Sequence, residues 1–380
     1  MKGKFTYFWG VNSGTSCDGI DLALVGFDRV RIGTIFTHTI PYPPDLQKKL
    51  KSSSFTPGFL ASFNCYYAKI VAREIKYFIE KNPDAPAAKA IGSHGHTFWH
   101  QPVEKPFFDI PVTCTFQLGC GETLSYLAGL PVIWNFRAGE VAAGGQGAPL
   151  SAIFDRDFFQ KKNMPVFVQN IGGIANFTLI VNGKAIIASD SGPGNMLIDL
   201  AMEEFTNGER LFDEDGKTAA AGSIIPELLR VLLADKYYKM PFPKTTGREI
   251  FNLAYLKKML KPFARLKWED ILYTLTTLSA RTISMAYRAV FKNQNQRAKV
   301  FLYGGGAKNI LLGKLLRESC PEFDFFSTSS QGIDPDFKEA ITFAYLAKLN
   351  LAGHAGNLPE LTGAKHQFLL GQTSVVKRVG

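Results

Sequence analysis

The stretch PVFVQNIGGIANFTLIVNGKAIIASDSG, from Pro165 to Gly192, alternates apolar runs with glycine turns. It reads as a strand, a glycine turn, a second strand, an Asn182-Gly183 hairpin and a third strand. Asn-Gly between apolar runs is a strong hairpin signal, because both residues tolerate positive φ. The start of the chain follows the same plan. KFTYFWG (Lys4–Gly10) reads as a strand ending in a glycine turn, and IDLALVGF and RVRIGTIFTHTI read as two more strands, an antiparallel meander. Each half then turns helical. FLASFNCYYAKIVAREIKYFIEKN (Phe59–Asn82) has apolar residues at three-and-four spacing and is stopped by NPDAP. AIGSHGHTFW reads as a strand running into a polar loop, VTCTFQL as a strand, a helix follows from Glu122, and PVIWNF is a short strand. In the second half a helix is expected from about Asn195, a long one over Trp268–Lys292, a strand in KVFLY and a late helix over Asp334–Asn350.

This duplication at domain scale predicts an α/β chain of two lobes. The boundary falls near Gln160–Pro165, giving an N-terminal lobe over 1–164 and a C-terminal lobe over 165–350, with 351–380 packing back on the first. A glycine turn after the first strand of each half suggests two domains closing on a nucleotide.

The 380 residues are 46% hydrophobic and 20% charged, which is globular composition and long enough for two cores. The net charge is +10, yet the basic residues are scattered among acidic ones, as in KNPDAPAAK. No basic block with interleaved aromatics marks a nucleic-acid binder, so an anionic small molecule is the better use of the charge. Five cysteines without CxxC spacing read as reduced thiols. The N-terminus lacks the apolar core of a signal peptide, and no segment reaches the ~20 apolar residues that span a bilayer. The expected location is the cytoplasm, with no membrane partner.

GVNSGTSCDGID (Gly10–Asp21) directly follows the first strand. Glycines and small hydroxyls let its N–H groups point inward as an anion nest, and Asp18 would suit a hydrated Mg²⁺. It is not a Walker loop, because no Gly-Lys-Ser/Thr follows. NIGGIANFT (Asn170–Thr178) and YGGGAKN (Tyr303–Asn309) are further glycine turns at strand ends, where a phosphate, base or ribose can approach the backbone.

SGTSCDGID, GSHGHT, GEVAAGGQGAPL, NIGGIANFT, DSGPGNML, KTTGRE, YGGGAKN and GNLPELTGA, in that order over almost the whole chain, resemble the anhydro-N-acetylmuramic acid kinase family. The resemblance implies the sugar kinase, Hsp70 and actin superfamily. Its two ribonuclease-H-like lobes, mixed sheets flanked by helices, hold ATP in the interdomain cleft. It implies an enzyme that opens a 1,6-anhydro-amino sugar with water and phosphorylates the freed O6, using ATP and Mg²⁺, in peptidoglycan recycling. It also allows a homodimer. Carried over by position, Gly14, Thr15, Ser16, Cys17, Asp18, Gly19, Gly172 and Gly173 would hold the ATP phosphates. Gly304, Gly305, Gly306 and Asn309 would lie by the adenosine. His94, Gly95, His96, Thr97, Arg137, Gln146, Gly192, Pro193, Gly194 and Asn195 would face the sugar. Asp18 and Asp190 would meet Mg²⁺ through water, Asp190 having a helix cap as its alternative. Glu140 would be the general base.

The sugar-side motifs depart from the family pattern, while the ATP-side motifs are nearly intact. Glu140 stands for an aspartate, Cys120 and Asn135 for acidic residues, His96 for glutamine and Trp99 for a common arginine. Three readings stay open: the anhydro-sugar kinase, a kinase for another amino sugar, and a catalytically weakened nucleotide-binding paralogue.

Overall fold

The structure, a computed structural model, describes residues 5–14, 16–28, 31–52, 54–263, 265–291 and 297–376. Two compact units divide the chain. One comprises Met1–Phe158 with Phe337–Gly380, and the other Phe159–Asp336.

The first unit is built on strands β1 (Thr6–Ser13), β2 (Gly19–Phe27), β3 (Ile32–Pro41), β4 (Ala88–Phe107), β5 (Ile110–Leu118) and β6 (Val132–Trp134). The second contains β7 (Val166–Ile171), β8 (Ile174–Val181), β9 (Lys184–Pro193), β10 (Ala298–Tyr303) and β11 (Phe323–Ser327), and β12 (Gln372–Ser374) returns to the first. The two sheets repeat one another. The first runs β12-β6-β4-β1-β2-β3, with β5 on β4, and the second runs β11-β10-β7-β8-β9. In each, the opening three strands are an antiparallel meander, and two later strands extend the sheet in parallel from the first, β4 and β6 on β1 and β10 and β11 on β7, while β5 and β12 add antiparallel to the first sheet. The expected duplication is therefore the same strand order built twice. The Asn182-Gly183 turn has φ of 51° and 75°, the mirror-image geometry that suits a tight hairpin.

Helices cover the sheets where their apolar stripes dictate. Thr56 caps the helix Pro57–Lys81 by accepting from the Phe59 N–H at 3.2 Å, and Pro57 sits where no N–H is needed. Its Phe63, Tyr67, Val71 and Ile75 pack onto Trp9, Val11, Ile20 and Leu22 of the sheet. In the second unit Trp268–Val290 buries Leu272, Leu275, Ile283 and Tyr287 against Phe167, Phe177 and Val300. No helix among the described residues is long and apolar enough to cross a membrane.

Two expectations change. The polar segment after Trp99 is not a loop: β4 continues to Phe107 and pairs with β5 through Phe107–Ile110. Cross-strand hydrogen bonds hold it extended although it is largely solvated. The late helix, expected over Asp334–Asn350 in the second lobe, runs Lys338–Leu351 and packs on β1 and β4 of the first unit. The reason is steric. A side chain on Gly10 of β1 would overlap the Ala340 carbonyl, and one on Gly92 of β4 would overlap the Phe343 carbonyl. Bare backbone at both places lets the helix lie directly on the sheet.

Gly10→Ala and Gly92→Ala should each lower stability by about 2 kcal/mol or more, as overpacking does. Gly58→Ala, where an added methyl meets nothing within 4 Å, should be neutral or slightly stabilising. Urea midpoints of the three variants check this; equal midpoints would refute the close-approach account.

Candidate active site

The first unit collects the residues that the motifs singled out around Glu140. That residue lies in the first turn of a short helix, Ala138–Ala142, and is fully buried rather than a solvated loop charge. Neither carboxylate oxygen has a hydrogen bond of sound geometry. Thr362 and Asn357 stand close enough to favour the charged form, but the Thr362 hydroxyl donates to the Leu358 carbonyl at 3.3 Å and the Asn357 amide to the His366 carbonyl at 3.0 Å. Burial dominates and pushes the Glu140 carboxyl above its usual range. Ionisation of Glu140 therefore works against folding as pH rises past the ordinary carboxylate value, and is favourable to a proton acceptor.

Arg137 precedes that helix. Its Nε donates to His94 Nε2 at 2.9 Å, and its Nη1 donates to the Gly147 carbonyl at 2.8 Å. The first contact requires His94 Nε2 to be unprotonated, with Nδ1 facing the Gly95 carbonyl at 3.1 Å. Burial and then Arg137 hold His94 well below the usual histidine value, so it is a neutral acceptor stacked on Phe343. Burial brings Arg137 down to about 10, while Glu339 and Glu140 favour its charge. Glu339, at the start of the late helix, accepts from Asn12 Nδ2 at 2.6 Å. The sequence reading missed this acid. Its only signal was an acidic residue in the first turn of a late helix.

His96 does not stand free beside His94. Nδ1 meets Ser13 Oγ at 3.0 Å and Nε2 faces Cys17 Sγ at 4.0 Å, so the ring braces the β1–β2 turn. Burial lowers it to about 4. In that turn Gly14 accepts from the Cys17 N–H at 3.3 Å, the Ser16 hydroxyl donates to Asp18 at 2.7 Å, and Gly19 receives the Ser13 hydroxyl at 3.0 Å. Thr15 lies outside the described residues. Gly95 and Thr97 follow His94 on β4, and the Gln146 N–H donates to the Thr362 carbonyl at 2.8 Å.

The second unit joins three glycine turns. The Gly194 N–H donates to the Gly173 carbonyl at 2.9 Å and the Asn195 N–H to the Gly172 carbonyl at 2.8 Å. Gly304 packs on Asn170, and Gly306 on Ile171 and Asn195. Gly305 lies between them in the turn after β10. The segment Gly192–Asn195, placed with the sugar-side group from sequence, thus has the Gly172-Gly173 turn as its bonded neighbour. Asp190 is not a helix cap. It lies in β9, and its carboxylate accepts from the Thr246 N–H at 2.8 Å. Burial raises it to about 6, with Thr246 opposing and Glu249 assisting. Among the described residues no three His, Cys, Asp or Glu side chains cluster to hold a metal. Asp18 is exposed and Asp190 half-buried, each a single carboxylate in its own unit, the kind of oxygen ligand that a hydrated Mg²⁺ accepts.

Asn309 has a structural task. Its Oδ1 accepts from the Leu312 N–H at 2.9 Å and caps the helix Ile310–Ser319. Asn309→Ala should cost about 1 kcal/mol in thermal or urea unfolding, and Asn309→Asp much less. Equal losses for both would count against the cap.

The chain matches the family model of anhydro-N-acetylmuramic acid kinase over residues 6–375. Curated relatives carry that name. One from Rippkaea orientalis is 37% identical over 383 residues, covering 96% of this chain and 98% of the relative. One from Shewanella amazonensis is 38% identical over 371 residues, covering 96% and 97%. One from Francisella tularensis subsp. novicida is 37% identical over 382 residues, covering 97% and 98%. Among solved structures, component A of (R)-2-hydroxyglutaryl-CoA dehydratase from Acidaminococcus fermentans aligns with a TM-score of 0.45 at 11% identity, covering 89% of this chain and 96% of that one. With a family match spanning nearly every residue and relatives aligned end to end, the chain belongs to the anhydro-N-acetylmuramic acid kinase family.

Proposed function

We propose that this kinase opens 1,6-anhydro-N-acetylmuramic acid with water and transfers the γ-phosphoryl group of ATP to O6, giving N-acetylmuramic acid 6-phosphate for peptidoglycan recycling. The observation that carries the reading is Glu140: a fully buried carboxylate without a sound hydrogen bond, raised in pKa by burial, beside a retained arginine. A group of this kind accepts a proton readily near neutral pH.

In the proposed reaction Glu140 takes a proton from water as the water oxygen bonds to the anomeric carbon. The C1–O6 bond breaks, and its electron pair stays on O6, as the carbon passes through oxocarbenium character. O6 then bonds to the γ-phosphorus, and the electron pair of the broken P–O bond leaves on ADP. Arg137 offers positive charge close to Glu140. Backbone N–H groups of the Gly14–Gly19 loop and of Gly172 and Gly173 would cradle phosphates, and Gly304–Gly306 would admit the adenosine. Asp18 and Asp190 would hold Mg²⁺ through water. When bound, that ion neutralises phosphate charge.

Two of the departures from the family pattern have local accounts, which favours this reading over a weakened paralogue. Cys120 Sγ caps the helix Gly121–Ala128 by accepting from the Thr123 N–H at 3.4 Å, a task an aspartate would also perform. Asn135 sits at a φ of 55°, where asparagine is well tolerated. Nothing in the structure explains Trp99.

Pure anhydro-sugar, ATP and Mg²⁺ should yield a sugar 6-phosphate, and a folded, ATP-binding protein that makes none would sink the proposal. Glu140→Gln should lower kcat by ~10²–10⁴ without changing ATP affinity. Because the active form is the carboxylate and burial raises its pKa, the acid limb of kcat/KM should lie above the ordinary value of ~4.3 and vanish in Glu140→Gln. Glu140→Asp should also slow the enzyme, by ~10²-fold for a displacement near 1 Å. Gly145 packs against the Cγ of Glu140, so the loop leaves the side chain little room to shift.

A further inference from the structure

We propose that Gln117 binds the acceptor sugar, with its Oε1 taking a hydrogen bond from an N–H or O–H donor of that sugar. The inference rests on the amino-sugar kinase reading and adds a specificity residue to it.

A chain of polar contacts runs along one face of the β4–β5 hairpin. His100 meets the backbone of Gln146 in a contact that favours the protonated ring, as a carbonyl accepting from the ring does. His100 Nδ1 lies 3.0 Å from Thr115 Oγ1. In the neutral ring with its proton on the nitrogen away from Thr115, Nδ1 accepts from the Thr115 hydroxyl. With its own proton committed, Thr115 Oγ1 must accept from Gln117, whose Nε2 stands 2.8 Å away. Nε2 also reaches Thr97 Oγ1 at 3.4 Å. This sequence sets which end of the Gln117 amide is nitrogen, an orientation usually open to a flip. Oε1 is left as a buried acceptor with no hydrogen-bond partner, on a residue only 9% exposed.

Its position links it to Glu140. The Ala138–Ala142 helix that carries Glu140 packs against β5, the strand of Gln117. His100 closes on Gly147, whose carbonyl holds Arg137. The unit thus places orphaned buried acceptors on the strand and on the helix packed against it: Gln117 Oε1 and both oxygens of Glu140. A buried acceptor left unpaired is unfavourable, so a site lined with them favours a ligand rich in donors and rejects one that lacks the matched donor. A neutral sugar face with hydroxyl and amide protons has that character. A carboxylate group, which only accepts, does not.

Calorimetric titration with anhydro-N-acetylmuramic acid, alongside steady-state kinetics, tests this. Gln117→Met, an unbranched apolar replacement, should weaken sugar binding roughly tenfold to hundredfold while leaving ATP affinity unchanged. Thr115→Val, at a half-buried position, frees the amide to turn. It should weaken sugar binding in the same direction but less, and it serves if Gln117→Met fails to fold. Gln117→Glu keeps an acceptor there and should bind the sugar more tightly than Gln117→Met. Among sugar analogues each lacking one donor, one should lose the same factor on the wild type and lose nothing further on Gln117→Met. Wild-type binding that both Gln117→Met and Thr115→Val leave intact overturns the inference alone. So does a parallel loss of ATP affinity. A wild type that binds ATP but not the anhydro-sugar overturns the kinase reading and this inference together.

Discussion

The first unit depends on a backbone-to-backbone contact. The helix Lys338–Leu351 lies on β1 and β4 at Gly10 and Gly92, where no side chain fits beneath the Ala340 and Phe343 carbonyls. Cores are packed as densely as crystals, so such a contact leaves little freedom for sliding or tilting. The residues next along both strands inherit that precision. Asn12 and Ser13 continue β1, His94 and His96 continue β4, and the helix brings Glu339 to Asn12 and Phe343 to the His94 ring.

Electrostatics in the same unit follow from burial more than from pairing. Arg137 is not locked onto Glu140. It uses its donors on a neutral histidine and a backbone carbonyl, and the charge of Glu140 only favours its protonated form. Glu140 in turn is desolvated without a strong compensating bond, which leaves its proton affinity high. A direct ion pair would have pulled the carboxyl down and made it a poor base. The loop after Glu140 maintains this separation. Gly145 donates to the Glu140 carbonyl at 2.9 Å, and Gln146 donates to Thr362.

Several departures from the family pattern turn out to be local solutions. Cys120 fills a cap, Asn135 fills a left-handed position, and His96 braces the β1–β2 turn with both ring nitrogens. By residue type alone, these substitutions leave open a different acceptor or a weakened acceptor chemistry. Seen in place, two of them serve the backbone and one serves the neighbouring loop.

The sequence by itself determined the strand–turn–strand plan, its duplication, the Asn182-Gly183 hairpin, the glycine turns and the family. These rest on local φ/ψ demands and on hydrophobic period, which neighbouring residues set. Only the tertiary structure decided the rest. The outer half of β4 is a strand because β5 pairs with it, and no local pattern reveals a partner. The late helix joined the first unit because two glycines more than 240 residues upstream make room for it. Glu140 became a buried acid, and Gln117 a buried acceptor, because segments distant in sequence enclose them. Burial and hydrogen-bond satisfaction are properties of what surrounds a residue, and a residue's own letter carries neither.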